Sequence, residues 1–368
     1  MIRLLAVDDS ALMRRLIGEV FADEDEFEVS YARNGVEALA VLQTLKPDVI
    51  TLDVHMPQMD GLACLDRIMI ERPCPVVMFS ALTADGARET LEALSLGAVD
   101  FIAKPGGAIS LKIDEFGPQL IDKVRAASQA RLAHSHRLSE RVRLRAGGAV
   151  PQRRSTPIAP PPAARRPRLA PVVGEGTDKV VLVGSSTGGP PALDALLGPL
   201  PADFPWPIVV AQHMPASFTG ALAARLDRLC AVSVMEISRP TPLQPGKVYI
   251  GRGDADLIIS RRGGALVALP APSSAAFRWH PSVDRMVDSA LDHLAAADLI
   301  GILLTGMGND GAAAMTRVRQ GGGRTIAEAE ETAIVWGMPG ELVRAGGAEA
   351  VLPLDRVATG LLDLAGRS

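Results

Sequence analysis

The chain has 368 residues, a formal net charge of −4 and 48% apolar residues, enough for two or three domains that each bury a core. No apolar run approaches the ~20 residues of a membrane span. The start, Met1-Ile2-Arg3-Leu4-Leu5-Ala6-Val7-Asp8-Asp9, goes straight into a strand and an acidic pair, unlike a signal peptide. Three cysteines, Cys64, Cys74 and Cys230, have no ligand-like spacing, so a reduced, cytoplasmic protein without membrane insertion or structural zinc is expected.

Charge is unevenly spread. Residues 1–105 carry 9 Lys and Arg against 18 Asp and Glu, residues 106–177 carry 13 against 5, and the remainder carries 16 against 19. Two mildly acidic parts joined by a basic segment are expected, with boundaries at 1–125, 126–177 and 178–368.

In residues 1–105 short apolar runs alternate with helical spacing. Strands are expected at 2–7, 29–32, 49–52, 76–79 and 101–103, and helices at 12–21, 36–45, 62–70 and 87–96, with a further helix from 118 to about 132. Such alternation, with near-continuous apolar strands, predicts a doubly wound parallel sheet whose site lies beyond the carboxyl ends of its strands. Asp8 and Asp9 follow the first strand, Asp53 the third, Ser80 the fourth and Lys104 the fifth. Three carboxylates in one crevice repel unless a hard divalent cation sits among them, and Mg²⁺ suits oxygen ligands. A lysine supplies countercharge, and a hydroxyl can bond an added phosphoryl group.

This part resembles the receiver domain of bacterial response regulators. The matching pieces are Val7-Asp8-Asp9-Ser10, the stretch from Leu52-Asp53 to Asp60-Gly61, Phe79-Ser80-Ala81 and Ala103-Lys104-Pro105. The resemblance implies that Asp53 accepts a phosphoryl group from a histidine kinase. It further implies that Asp8, Asp9 and Asp53 hold Mg²⁺, and that Ser80 and Lys104 read the phosphorylated state. His55 departs from the family pattern, which has an acidic or amide side chain there. Its backbone carbonyl can still bind the metal.

Residues 151–171 are rich in proline and arginine and poor in large apolar side chains, a composition that cannot bury a core and suits a semi-rigid linker. A nucleic-acid-binding arm is the alternative, but aromatic interleaving and a recognition-helix pattern are both missing. His134 and His136, near this stretch, read as surface residues.

From Val180 the alternation resumes. Strands are expected at 180–183, 208–211, 248–250, 257–259 and 299–304, and helices after Pro190-Pro191, at 284–294 and at 312–319. Gly184-Ser185-Ser186-Thr187-Gly188 follows the first of these strands and fits the G-x-S-x-G spacing of a nucleophile elbow. A glycine loop cradling a phosphate is the other reading; no Gly-Lys-Ser/Thr follows it. A serine hydroxyl needs an imidazole, and the imidazole needs a carboxylate. His213 and Asp310 also lie just past apolar strands, so one crevice can gather all three, with His280 a competing base or a substrate-positioning group and His293 a helix-face residue. The order Ser, His, Asp disfavours an α/β-hydrolase.

The second half resembles the catalytic domain of the CheB family of chemotaxis protein-glutamate methylesterases. The matches are Gly184 to Pro190, Gln212-His213-Met214-Pro215, Pro281-Ser282-Val283-Asp284 and Leu304 to Gly311. The resemblance implies Ser186 as nucleophile, His213 as base, Asp310 as its orienting acid and the Met307 backbone N–H as an oxyanion donor. It implies methylated chemoreceptors as substrate, with glutamine deamidation as a second activity and no cofactor for the esterase reaction. His280 stands where the family often has arginine. The expected fold class is two doubly wound α/β domains, a flavodoxin-like receiver and a Rossmann-like three-layer catalytic domain. A transcription regulator lacking catalysis, the competing class, would carry a reading helix after residue 177, and none is evident. A deamidase with little esterase activity shares the acyl chemistry.

Overall fold

The computed structural model describes residues 1–105, 113–132 and 179–366. His134 and His136, expected at the surface, and most of the 126–177 linker lie outside the described residues.

The first sheet holds β1 (Ile2–Val7), β2 (Phe27–Ala32), β3 (Val49–Asp53), β4 (Val76–Ser80) and β5 (Asp100–Ala103), all parallel in the order β2-β1-β3-β4-β5. Around it lie α1 (Ala11–Phe21), α2 (Gly35–Leu45), α3 (Gly61–Glu71), α4 (Ala84–Leu96) and α5 (Ile113–Ser128). Side chains of Ser10, Asn34, Asp60 and Thr83 cap the first four helices by accepting an N–H three residues on. The Thr83 cap explains why α4 starts ahead of its apolar stripe. The last helix departs from expectation at both ends: α5 begins five residues before Pro118 and stops at Ser128. It stops there because Gln129 and Ala130 bond back three residues to Ala126 and Ala127, and the Arg131 N–H then pairs with the Ile334 carbonyl of the second half.

The second half contains β6 (Val180–Ser185), α6 (Gly189–Leu197), β7 (Ile208–Gln212), α7 (Ala216–Leu229), β8 (Ser233–Ile237), β9 (Thr241–Pro242), β10 (Lys247–Gly251), β11 (Ala255–Arg262) and β12 (Ala265–Pro272). There follow α8 (Val283–Leu291), β13 (Leu299–Leu303), α9 (Ala312–Gln320), β14 (Arg324–Glu328), α10 (Met338–Arg344), β15 (Ala350–Leu352) and α11 (Leu354–Ala365). Seven strands form a parallel sheet in the order β15-β14-β13-β6-β7-β10-β8. Val180, Val181, Leu182 and Val183 of its central strand are fully buried, which is why that run is apolar on both faces. The expected strand at 257–259 belongs elsewhere: β11 pairs antiparallel with β12, and β12 with β9, in a separate three-stranded sheet. Gly263-Gly264, both with positive φ, close that hairpin.

The two halves touch closely. Phe101 packs on Phe218 with ring centroids 4.3 Å apart, and α4 packs against α6 and α7. Asp100 accepts the Thr187 hydroxyl, and Arg278 pairs with Asp122 at 2.7 Å. Among the described residues no helix is long and apolar enough to cross a membrane.

Candidate active site

Strand register delivers the catalytic candidates to one place. Ser185 pairs with Gln212 across β6 and β7, and Leu303 of β13 pairs with Gly184 of β6. Ser186, His213 and the loop 305–311 therefore leave three adjacent strand tips, where the direction of winding across the sheet reverses. The turn after β6 is tight. Gly188 takes a left-handed φ of +76°, and a Cβ on Gly189 would come within 2.0 Å of Gln212 Oε1. Pro190 and Pro191 then sit in the first turn of α6.

His213 Nε2 lies 2.8 Å from Asp310 Oδ2, and their side chains are only 7% and 6% exposed. Asp310 is held at the N-terminus of α8: Oδ2 also accepts the Val283 N–H at 2.7 Å, while Oδ1 accepts the Asp284 N–H at 2.9 Å and the Ser282 hydroxyl at 3.1 Å. Burial works to raise its pKa, but the hydrogen bond and charge of His213, with the N–H groups of Asp284 and Val283, hold the carboxyl below its ordinary range. Burial pushes the neighbouring Asp284 the other way, reinforced by the Asp310 charge. An ionised Asp310 requires the proton on Nε2, which leaves Nδ1 as the lone-pair nitrogen. Nδ1 is buried without a hydrogen-bond partner among the described residues, and the Ser186 hydroxyl makes no hydrogen bond among them either. Such catalytic bonds commonly tighten only with substrate present.

Several positioning groups escaped the sequence reading. Gln212 Oε1 accepts the Ser185 hydroxyl at 2.6 Å, while Nε2 donates to the carbonyls of Ser186 at 2.9 Å and His213 at 3.1 Å. A polar residue ending an otherwise apolar strand beside the nucleophile turn was the available signal. The Ser186 N–H donates to the Thr305 carbonyl at 3.0 Å, and the Thr305 hydroxyl to the Thr187 carbonyl at 2.9 Å. This ties the turn to the loop carrying Met307, whose N–H makes no hydrogen bond among the described residues. A cleft of about 470 Å³ between α5 and the second half opens at Met307 and Gly308.

Behind this loop lies Glu328, fully buried, with Oε2 accepting the Thr305 N–H at 2.8 Å and Oε1 the Thr332 hydroxyl at 3.1 Å. Burial raises its pKa from 4.5 to about 7. Its contribution to stability is therefore fully present below about pH 4.5 and is lost as pH rises through about 7. In Glu328→Gln the amide oxygen can accept the Thr305 N–H and the NH₂ can donate to the Thr332 oxygen, without the charge, so thermal melts should show the variant stabilised over wild type at pH 8, by ~3 kcal/mol at most, and not at pH 4.

His280, the competing base, belongs to a second histidine–carboxylate pair. Its Nδ1 lies 2.8 Å from Asp256 Oδ1, which also accepts the Ser282 N–H at 2.8 Å, and Arg285 pairs with Oδ2. The pair braces the loop before α8. His293 is not on a helix face: α8 ends at Leu291, and His293 is exposed in the turn beyond it.

In the first half, Asp53 ends β3, and Lys104 Nζ lies 2.7 Å from Asp53 Oδ2 and 3.0 Å from Asp8 Oδ2. Carboxylate oxygens of Asp8, Asp9 and Asp53 lie within 4.8 Å of one another. One lysine pairs with two of these three carboxylates. Burial, reinforced by Asp8 and opposed by Lys104, raises the Asp53 pKa; burial would lower that of Lys104, but Asp53 and Asp8 hold it up. The Asp8 Oδ2 atom is buried, with only the Lys104 ammonium beside it among the described residues. An all-oxygen set with an excess of negative charge and an incompletely bonded oxygen fits Mg²⁺. Ser80 stands at the adjacent tip with its hydroxyl turned to the Gly86 carbonyl, 3.1 Å away, and accepting from Thr90. His55 is exposed and pairs with Glu89 of α4 at 3.0 Å.

Comparison with known proteins agrees on both halves. The sequence model of the CheB methylesterase family matches residues 181–361, and that of the response regulator receiver domain matches residues 4–113. A protein-glutamate methylesterase/protein-glutamine glutaminase of Rhodopseudomonas palustris is 54% identical over 363 residues, covering 99% of this chain and 98% of the relative. One from Rhodospirillum rubrum is 51% identical, covering 97% and 95%. The Thermotoga maritima CheB methylesterase catalytic domain superposes with a TM-score of 0.49 at 40% identity, covering 50% of this chain and 98% of that one. Identity of this extent, covering both halves, places the chain in the CheB family of receiver-bearing protein-glutamate methylesterase/protein-glutamine glutaminases.

Proposed function

We propose that the chain is a phosphorylation-activated hydrolase of chemotaxis adaptation, removing methyl esters from glutamate side chains of chemoreceptors and deamidating receptor glutamines. The assignment takes residues 1–125 as receiver, 126–177 as linker and 178–368 as catalytic domain. The observation that carries it is the buried His213–Asp310 pair, 2.8 Å apart, with Nδ1 unpartnered beside the Ser186 turn.

Ser186 Oγ attacks the side-chain carbonyl carbon while His213 Nδ1 takes its proton. The tetrahedral oxyanion is met by the Met307 N–H, worth ~3–4 kcal/mol for such a donor. His213 then protonates the leaving methoxide, or the leaving amine of a glutamine, and methanol or ammonia departs. Water, deprotonated by the same nitrogen, hydrolyses the acyl-enzyme. Asp310 stays ionised throughout and keeps Nε2 protonated.

Control comes from the receiver. A histidine kinase phosphorylates Asp53, and Asp8, Asp9 and Asp53 would hold the Mg²⁺ that neutralises the incoming phosphoryl charge. Ser80 and Lys104 read the product. Lys104 directly follows β5, and that strand begins at Asp100, whose carboxylate accepts the hydroxyl of Thr187, the residue after the nucleophile. Movement of Lys104 towards a phosphoryl group thus reaches the crevice through one strand. The unphosphorylated receiver covers the crevice, and a bias of a few kcal/mol between two arrangements suffices.

Methanol release from methylated receptor, with and without a small phosphodonor, tests this reading. Wild type should respond roughly 5- to 150-fold, the span of typical couplings. Asp53→Ala should keep basal turnover and lose all stimulation; stimulation surviving in that variant contradicts the assignment of Asp53.

A further inference from the structure

Beyond Asp310, the His213 ring has a second fixed neighbour. Trp279 stacks on it with centroids 5.5 Å apart and planes within 13°. One hydrogen bond through Nε2 leaves the imidazole free to swing about that bond, and a swing carries Nδ1 away from the nucleophile. A flat partner on the ring face removes that freedom. The indole is itself seated. Its Nε1 lies 3.3 Å from where a Cβ on Gly308 would stand, so glycine leaves the room it occupies. The loop is braced on the other side by the His280–Asp256 pair. The Arg278 guanidinium lies over the indole, 4.9 Å from its centroid, and donates to Asp122 of the receiver helix α5.

We infer that Trp279 is a positioning residue for His213: its indole holds the imidazole in line, and its π face stabilises the imidazolium formed as Ser186 loses its proton. The inference rests on the hydrolytic reading above. Charged groups around the ring set the electrostatic background. Asp310 and, behind it, Asp284 favour the imidazolium. Arg278 opposes it, with its charge partly met by Asp122, and the His280–Asp256 pair lies along the same loop. The aromatic face adds to the first group at short range.

The test measures kcat and KM for methanol release from methylated receptor between pH 5 and 9, using full-length phosphorylated wild type, Trp279→Leu and Trp279→Phe. Loss of the indole face should lower kcat roughly 2- to 30-fold in Trp279→Leu, the span of a cation–π contact converted at tenfold per 1.4 kcal/mol, with little change in KM. Its acid limb should move to lower pH, because the imidazolium has lost a stabilising neighbour. Trp279→Phe, which keeps an aromatic face, should recover most of both effects and melt near wild type. A wild-type kcat and acid limb in Trp279→Leu, a change confined to KM, or loss of activity in Phe as great as in Leu would overturn the inference. An absence of methanol release from wild type would instead overturn the hydrolytic reading beneath it.

Discussion

Ser186→Ala should abolish methanol release from methylated receptor, with kcat falling by roughly 10⁵- to 10⁶-fold, the scale seen when a serine nucleophile is removed. The backbone of the turn is untouched by the change. The Ser186 N–H keeps its bond to the Thr305 carbonyl, and the Ser186 carbonyl keeps those from Gln212 and Gly189. The variant should therefore melt like wild type, so the loss reads on chemistry. Ser185→Ala is the informative neighbour. Its hydroxyl only anchors Gln212, and removing it should lower kcat by on the order of tenfold, the scale of one lost hydrogen bond.

Asp310→Asn should lower kcat by roughly 10⁴-fold, because it changes which imidazole nitrogen carries the proton. Four donors converge on the carboxylate, two on each oxygen: His213 Nε2 and the Val283 N–H on Oδ2, the Ser282 hydroxyl and the Asp284 N–H on Oδ1. An amide NH₂ facing His213 donates to Nε2 and forces the proton onto Nδ1, which then cannot accept from Ser186. In either orientation the NH₂ also meets a backbone N–H, that of Val283 or that of Asp284, and leaves a buried donor unmet, at about 1–3 kcal/mol. The variant should thus be both nearly inactive and less stable. Nitrogen-15 NMR of the imidazole should show a protonated Nε2 in wild type, and activity within tenfold of wild type would contradict the assigned role of Asp310.

The strand tips were the legible part. Asp8, Asp53, Ser186, His213 and Asp310 each lie past or close a run of four or more β-prone residues, and Lys104 a run of three, and a parallel sheet aligns such ends without further information. Groups whose roles depend on contacts between distant segments were not legible. Gln212 reads as one more polar residue at a strand end until register sets it beside Ser185. Trp279 sits in an irregular loop, and nothing local in Arg278-Trp279-His280 says that the indole faces His213. His280 competed with His213 on composition alone; strand register sets His213 beside the Ser186 turn, while His280 pairs with Asp256 of β11, a strand of the small antiparallel sheet. That sheet itself was missed because its hairpin runs apolar residues much as a parallel strand does. The early start of α5 was missed because Pro118 looks like a first-turn proline, and here it stands a full turn further in.

The claim on which everything else depends is that Ser186, His213 and Asp310 act as one unit. The direct measurement compares kcat for methanol release by Ser186→Ala, His213→Ala and the double variant. Residues of one unit lose nearly everything with the first change, so the double variant should fall no further than either single variant. Losses that multiply in the double variant, or a single variant within tenfold of wild type, would contradict the account.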